Sequence, residues 1–505
     1  MRHLVLLLLL ISLALAGCLA PAYLPSMPWP ATSPPAPAAP ELAGEWPWHQ
    51  WEVYTAPLRP GARQGLALAG MTQYHLALDL AADLSELSGQ VAILYTNREG
   101  EPLDCLYLHL YPNLWDGRMT VWDGQVEGQP VTLRLEADDT LVRVPLEPAL
   151  QAGASVHLSL RFAVPIPAGE GVGNYGEFAL QNDVLALAHF YPSVAVYDHG
   201  WRVDAPAPQG DVIYHDASLY DVFFTAPAGL KVVAAGAILE HRVNADGTAT
   251  WHLAGGPMRD FNLVASAHYQ ALSQQVGEVV VNSYFLPDDH AGGHQALAWA
   301  ADALRTYEEA FGPYPYQELD VVETATRAGG IEYPGLVALA DWLYRDPARR
   351  DFFESATAHE VAHQWWYNVV GNDQLNDPWL DEALAQYSTY LYFYHVYGES
   401  GGESFLDSLN RRWARVDFAA KPIGLPVAAY QDREYGAIVY GRGPLFLIAL
   451  QDRIGADKMA ELLRRYYAAY AWGIATPSDF QALAEEVAGQ DLDPLFAEWV
   501  YPQTP

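Results

Sequence analysis

Residues 357–366 read Thr357-Ala358-His359-Glu360-Val361-Ala362-His363-Gln364-Trp365-Trp366. On a helix, side chains four apart lie one turn above one another on the same face. His359 and His363 can therefore offer ring nitrogens to one ion, at about 2.0–2.1 Å for zinc. Glu360, the next residue, points near that ion without reaching it, where it can take a proton from a water molecule. Phe352 and Phe353 precede the motif, and Trp365, Trp366 and Tyr367 follow His363, so this helix is predicted to be buried. Two imidazoles and a carboxylate buried without partners are costly, and a shared cation removes that cost.

A catalytic zinc takes three protein ligands and keeps one position open for water. Past a turn comes Asn376-Asp377-Pro378-Trp379-Leu380-Asp381-Glu382-Ala383, which opens a second predicted helix, with eighteen residues between His363 and Glu382. Glu382 is the candidate third ligand. Two neutral imidazoles and one carboxylate leave a formal charge of +1, which suits polarising a carbonyl and acidifying water. His/His/Glu ligation favours zinc, one per chain, over cobalt or manganese. Each imidazole should give its other nitrogen to an outer acceptor. Gln386, Asp377 and Asp381 are the candidates.

Working outward, helices are predicted over 294–311 (ended by Gly312-Pro313), 351–370 (closed by Gly371), 378–394 (with Asp377 as N-cap), 434–454, 457–470 and 478–487, with a strand over 319–324. Residues 70–270 instead alternate apolar and polar and break often at Gly, Pro, Asn and Asp. Examples are Tyr74–Leu80, Val91–Tyr95, Ser155–Leu160 and Asp221–Phe224. The fold class is α+β and multidomain, a β-rich N-terminal domain over 51–275 followed by a mostly α domain over 276–505. At ~100–200 residues per domain, the 505 residues allow two or three domains.

The chain is half apolar and 12% aromatic, enough to fill large cores. Against 27 Lys and Arg stand 61 Asp and Glu, a net charge of −34 that repels phosphate backbones and excludes nucleic acid as a partner. Met1-Arg2-His3, the apolar run Leu4–Leu15 and Leu15-Ala16-Gly17-Cys18 make a secretory signal over 1–18, too short to span a membrane. Leu-Ala-Gly-Cys resembles the bacterial lipobox, which implies lipidation of Cys18. Eight prolines between 21 and 40 predict a semi-stiff tether over 19–50. The expectation is an exported protein on the outer face of the cell membrane or in the periplasm, touching the membrane through its anchor only. Cys105, the one other cysteine, is predicted to be buried as a small hydrophobe.

Three segments in order resemble the aminopeptidase N family of gluzincin zinc peptidases. The core is Thr357–Trp366 with Trp379-Leu380-Asp381-Glu382-Ala383, similar to the family's Trp-Leu-Asn-Glu-Gly. Upstream, Gly329-Gly330-Ile331-Glu332-Tyr333-Pro334 resembles its Gly-x-Met-Glu-Asn, with Ile331 and Tyr333 as departures. Downstream, Tyr440-Gly441-Arg442-Gly443 resembles its Tyr-x-Lys-Gly. The resemblance implies a thermolysin-like catalytic domain and an exopeptidase acting on peptides with a free N-terminus. It implies that Glu332 binds the α-amine and that Tyr440, rather than Tyr435, stabilises the oxyanion. Gln181 is a candidate for a second amine contact. Gly329 and Gly330 would let a peptide pair along an edge strand, and Glu360 would be the general base. Sixty-five residues follow Tyr440, so the family's large C-terminal helical domain is not expected, and a more open cleft admitting longer peptides is. Two other classes remain: a same-scaffold hydrolase of non-peptide bonds such as epoxides, and a non-catalytic peptide-binding lipoprotein.

Overall fold

A computed structural model describes residues 48–115, 118–169, 174–431 and 433–502. The secretory signal, Cys18 and most of the tether lie outside the described residues.

The front of the chain is β-rich. Its largest sheet has eight strands, in the order Ala237–Val243, Thr248–Met258, Ser218–Pro227, Gln73–Leu80, Glu86–Thr96, Ser155–Pro165, Thr120–Val126 and Gln129–Pro130. All neighbours are antiparallel except Gln73–Leu80 and Ser218–Pro227, which run parallel with Gln73 opposite Leu219. The alternating segments of the sequence are its central strands, and their Leu, Val and Ile side chains enter one core. Two four-stranded sheets accompany it. One of them holds Phe178–Gln181, and the turn Asn174–Gly176 just before that strand reaches the functional cavity. Cys105 is a buried free thiol.

From residue 270 a mixed five-stranded sheet forms, in the order Gln270–Val276, Val279–Phe285, Glu318–Thr324, Leu336–Ala340 and Gly330–Tyr333. The sequence predicts two of these strands, 319–324 and the edge strand beside Gly329 and Gly330. Val279–Phe285 and Glu318–Thr324 are parallel, and the helix His290–Phe311 makes the crossover that parallel pairing demands. Gly330–Tyr333 is the edge strand, antiparallel to Leu336–Ala340.

The remaining helices build the back half. Arg350–Ala362 stops at His363, eight residues short of the expectation. The apolar run continues, but the backbone is claimed by tertiary bonds. Arg259 Nε donates to Tyr367 O at 2.6 Å, and Tyr367 adopts φ +89°. Gly371 is no helix cap: it bridges to Ile474, and a Cβ there would strike the Arg259 guanidinium. The next helix runs Trp379–Trp413, kinked at Gly398 (φ +70°), with Pro378 rather than Asp377 at its N-cap. The segment expected as one helix over 434–454 is two, Glu434–Ala437 and Gly443–Ile454, joined by a π-helical turn at Ile438–Arg442.

Candidate metal centre

The core sets the donor positions. Phe353, Ala358, Val361 and Ala362 bury one side of the first helix. Tyr307 donates its hydroxyl to Ala358 O at 3.0 Å, and Trp365 Nε1 donates to Gly312 O at 3.0 Å. Phe352, expected inside, is 42% exposed. Trp366 Nε1 donates to Ser388 Oγ at 2.9 Å, which ties the His-bearing segment to the Glu382 helix.

With both helices so fixed, three donors converge. His359 Nε2 lies 3.2 Å from His363 Nε2 and 3.1 Å from Glu382 Oε2, and His363 Nε2 lies 3.5 Å from the same oxygen. Ligands about 2.0–2.1 Å from a tetrahedral ion sit about 3.3 Å apart, because a tetrahedral edge is 1.63 bond lengths. The observed spacings bracket that value. The outer nitrogens agree. His363 Nδ1 lies 3.0 Å from Trp366 O, a partner that can only accept, so its proton sits there and its Nε2 lone pair faces inward. His359 Nδ1 lies 3.2 Å from the Gln386 amide nitrogen, while Gln386 Oε1 is buried without a partner. Turning that amide over moves no heavy atom and lets Oε1 accept from Nδ1. Both inner lone pairs then face each other, an arrangement that a cation relieves. His359, His363 and Glu382 thus fit a divalent metal. Burial raises the Glu382 carboxyl, yet the two imidazoles beside it hold it well below its ordinary range.

Three groups surround the triad. Carboxyl oxygens of Glu360 and Glu332 lie within 4.8 Å of each other and of a His363 ring nitrogen. Burial first, then Glu332, drive the Glu360 carboxyl well above its ordinary range, which makes it the more basic. Tyr440, in the π-helical turn, donates its hydroxyl to Glu382 Oε1. Its ring lies 5.8 Å from the His359 ring. Tyr435 lines the same cavity, but Tyr440 is the one on the metal ligand.

Residues 295–499 match the peptidase family M1 domain. The matched stretch contains His359, His363 and Glu382. Among curated relatives, aminopeptidase M1-B of Oryza sativa subsp. japonica is 30% identical over 224 residues, 42% of this chain and 26% of that protein. Aminopeptidase 2 of Candida albicans is 25% identical over 234 residues, 44% of this chain and 25% of that protein. The chain thus spans about a quarter of the length of these relatives. In fold it is similar to the M1 zinc metallopeptidase of Deinococcus radiodurans, with TM-score 0.63 and 22% identity over 86% of this chain and 93% of that one. A mutant of that enzyme bound to a Tyr-Ser-Ala substrate gives TM-score 0.62 and 21% identity, over 86% of this chain and 95% of that one.

Around the triad lies a cavity of about 490 Å³. Glu332 is 7% exposed at its wall, on the edge strand Gly330–Tyr333. Gln374 Nε2 donates to Glu332 Oε1 at 3.2 Å and to Asp381 Oδ2 at 2.8 Å. Asn368 Nδ2 donates to Glu332 O at 2.9 Å, and Gln364 Nε2 to Tyr333 O at 3.0 Å. Those two carbonyls are therefore taken, and the edge left for an incoming strand shortens to Gly329–Ile331. Gly330 has a use that the sequence did not reveal: a Cβ there would lie 2.6 Å from Glu360 Cδ and Oε1.

The outer-acceptor candidates divide. Gln386 meets His359. Asp381 meets Gln374 and the Glu382 amide (2.8 Å) instead of an imidazole, and Asp377 contributes its carbonyl to Asn372. Burial, with Glu382 beside it, pushes the Asp381 carboxyl up to about 8. Gln181 donates to Gly169 O, and Tyr175 and Glu177 of the same segment line the cavity in its place. Glu177 is in turn 3.3 Å from His189 Nε2, whose Nδ1 is 2.5 Å from Asp260 Oδ2. Gln374, Asn368, Glu177 and the Trp366 carbonyl carry no motif of their own. They are visible only once the chain is folded.

Proposed function

We propose that this chain is a zinc aminopeptidase that removes N-terminal residues from peptides. The observation that carries the reading is the convergence of His359, His363 and Glu382 at tetrahedral spacing, with Glu360 and Glu332 beside them in one cavity. Zinc in that triad would supply a Lewis acid for the scissile carbonyl and for the attacking water.

The chain's own groups would do the rest. Glu332 is a buried carboxylate held by Gln374, and a substrate's ammonium group is the partner it lacks. With the amine fixed there, one residue's length brings the first peptide bond to the triad. Glu360, made basic by burial and by Glu332, accepts the water's proton on its carboxylate and delivers it to the leaving nitrogen. Tyr440 holds its proton firmly, because burial and Glu382 raise its hydroxyl well above the ordinary range. It can therefore donate a hydrogen bond to the oxygen where charge develops, rather than lose the proton. The aminopeptidase relatives and the neighbour captured with a tripeptide support this reading. The Leu15–Cys18 sequence supports an exported, lipid-anchored form.

The test is a panel of aminoacyl and N-acetylated aminoacyl fluorogenic substrates, with and without a chelator. Cleavage of the free-amine substrates alone, abolished by chelation, is the expected result. Equal cleavage of the blocked substrates would remove the amine-anchor role of Glu332.

A further inference from the structure

The cavity around the triad is charged at both ends. On the His363 side stand Glu332 and Glu360, with Asp211 and Glu177 lining the same space. On the His359 side the Tyr440 ring follows at 5.8 Å, and the Arg412 guanidinium lies 5.9 Å from that ring. Arg412 comes from the last turn of the Trp379–Trp413 helix, and Arg415 from the 3₁₀ turn Ala414–Val416 that continues it. Three residues apart, they share a face, and both line the cavity.

Neither arginine forms an ion pair with a carboxylate among the described residues, although the Glu382 carboxylate attracts Arg412 at longer range. Arg412 reaches the Tyr440 carbonyl at 3.4 Å and the Tyr440 ring, and the two guanidinium groups repel one another. In a chain with 61 acidic and 27 basic residues, two unpaired arginines beside a metal centre are conspicuous. A part-buried guanidinium without an anion costs free energy, and its planar fork matches a carboxylate.

We propose that Arg412 and Arg415 bind the C-terminal carboxylate of the substrate, so that the chain selects di- and tripeptides. The inference rests on the aminopeptidase reading, which puts the amine at Glu332 and the scissile bond at the triad. An extended residue spans ~3.5 Å, so a carboxylate one or two residues past the scissile bond falls ~4–7 Å beyond it, on the arginine side. Longer peptides present a neutral amide at that distance. A cavity of about 490 Å³ is of small-ligand size, within the range of ~300–1,000 Å³.

The test compares a tripeptide as free acid and as C-terminal amide. In wild type, kcat/KM for the acid is expected to exceed that for the amide ~10–100-fold, the range for a charge-assisted hydrogen bond. In Arg412→Gln/Arg415→Gln the ratio falls toward one. Arg415→Gln alone, at an exposed position, lowers the ratio without disturbing the packing on Tyr440. A wild-type ratio near one overturns the proposal, as does a ratio that survives in the double variant. The same two ligands are titrated calorimetrically into Glu360→Gln protein. Tighter binding of the acid supports the arginine site even if wild type hydrolyses neither ligand, a result that would sink the aminopeptidase reading alone. Equal affinities overturn the arginine site.

Discussion

Replacing Gly330 by alanine tests the seating of the general base without replacing any charged group. The added methyl would lie 2.6 Å from Glu360 Cδ and Oε1. Ordinary carbon contacts are about 3.5–4.0 Å, so the carboxylate must retreat by about 1 Å. Strand pairing with Leu339 holds Gly330 on its side, and Glu360 is the freer partner. A displacement of that size at a reacting group costs about 10²-fold in rate, or about 2.7 kcal/mol of transition-state stabilisation. The three atoms nearest this methyl all belong to Glu360 and none to a metal ligand, so metal content should stay at the wild-type level. The assay is kcat/KM on an aminoacyl anilide, with metal content measured on the same sample and temperature kept well below the melting point. An alanine variant that retains rates within about threefold of wild type, with full metal, would refute the seating of Glu360 against Gly330.

Other outcomes follow from the same geometry. Tyr440→Phe is expected to lower kcat ~10²–10³-fold with KM little changed, as for loss of one oxyanion donor; a KM effect alone would argue that Tyr440 only positions Glu382. Gln386→Leu removes the acceptor behind His359 and should weaken metal affinity ~10–100-fold in a competitive chelator titration, whereas Asp377→Asn should leave it unchanged. Burial lowers the His189 imidazole, but Asp260 and Glu177 outweigh it and raise it from 6.5 to about 9. The stabilisation is then complete below pH 6.5 and lost as pH climbs through about 9. Between 6.5 and about 9, at 1.36 kcal/mol per pH unit, it amounts to about 3 kcal/mol. Denaturant unfolding of wild type and His189→Gln should therefore show a stability gap that narrows between pH 6.5 and 9.5; a gap that widens would contradict the ion cluster.

Much of the site was legible because its chemistry obeys local spacing. The i, i+4 histidines need only a helix, and Glu382 needed only a second helix after a turn. Glu332 and Tyr440 were legible through resemblance. What failed was set by contacts distant in sequence. The helix after Arg350 looked as if it should run to Val370, since Trp365, Trp366 and Val369 continue an apolar pattern. It ends at His363 because Arg259, about a hundred residues earlier, binds the Tyr367 carbonyl. That break also frees the Trp366 carbonyl to orient His363 and turns Asn368 onto the Glu332 strand. The π-helical turn carrying Tyr440 had no signal either, since Ile438 to Arg442 fits an ordinary helix. The short strand Leu336–Ala340 spans too few residues to reveal a period. Gly330 was read as room for substrate, when the closer neighbour is Glu360.

The proposed chemistry requires one ion held by two imidazoles and a carboxylate. Metal analysis with X-ray absorption spectroscopy on the purified chain tests this directly. The expected result is one zinc per chain with two imidazole nitrogens and oxygen ligands at about 2.0–2.1 Å, and loss of the zinc signal in Glu382→Ala. Substoichiometric metal, or a bound zinc whose spectrum lacks imidazole and is indifferent to Glu382, would contradict it.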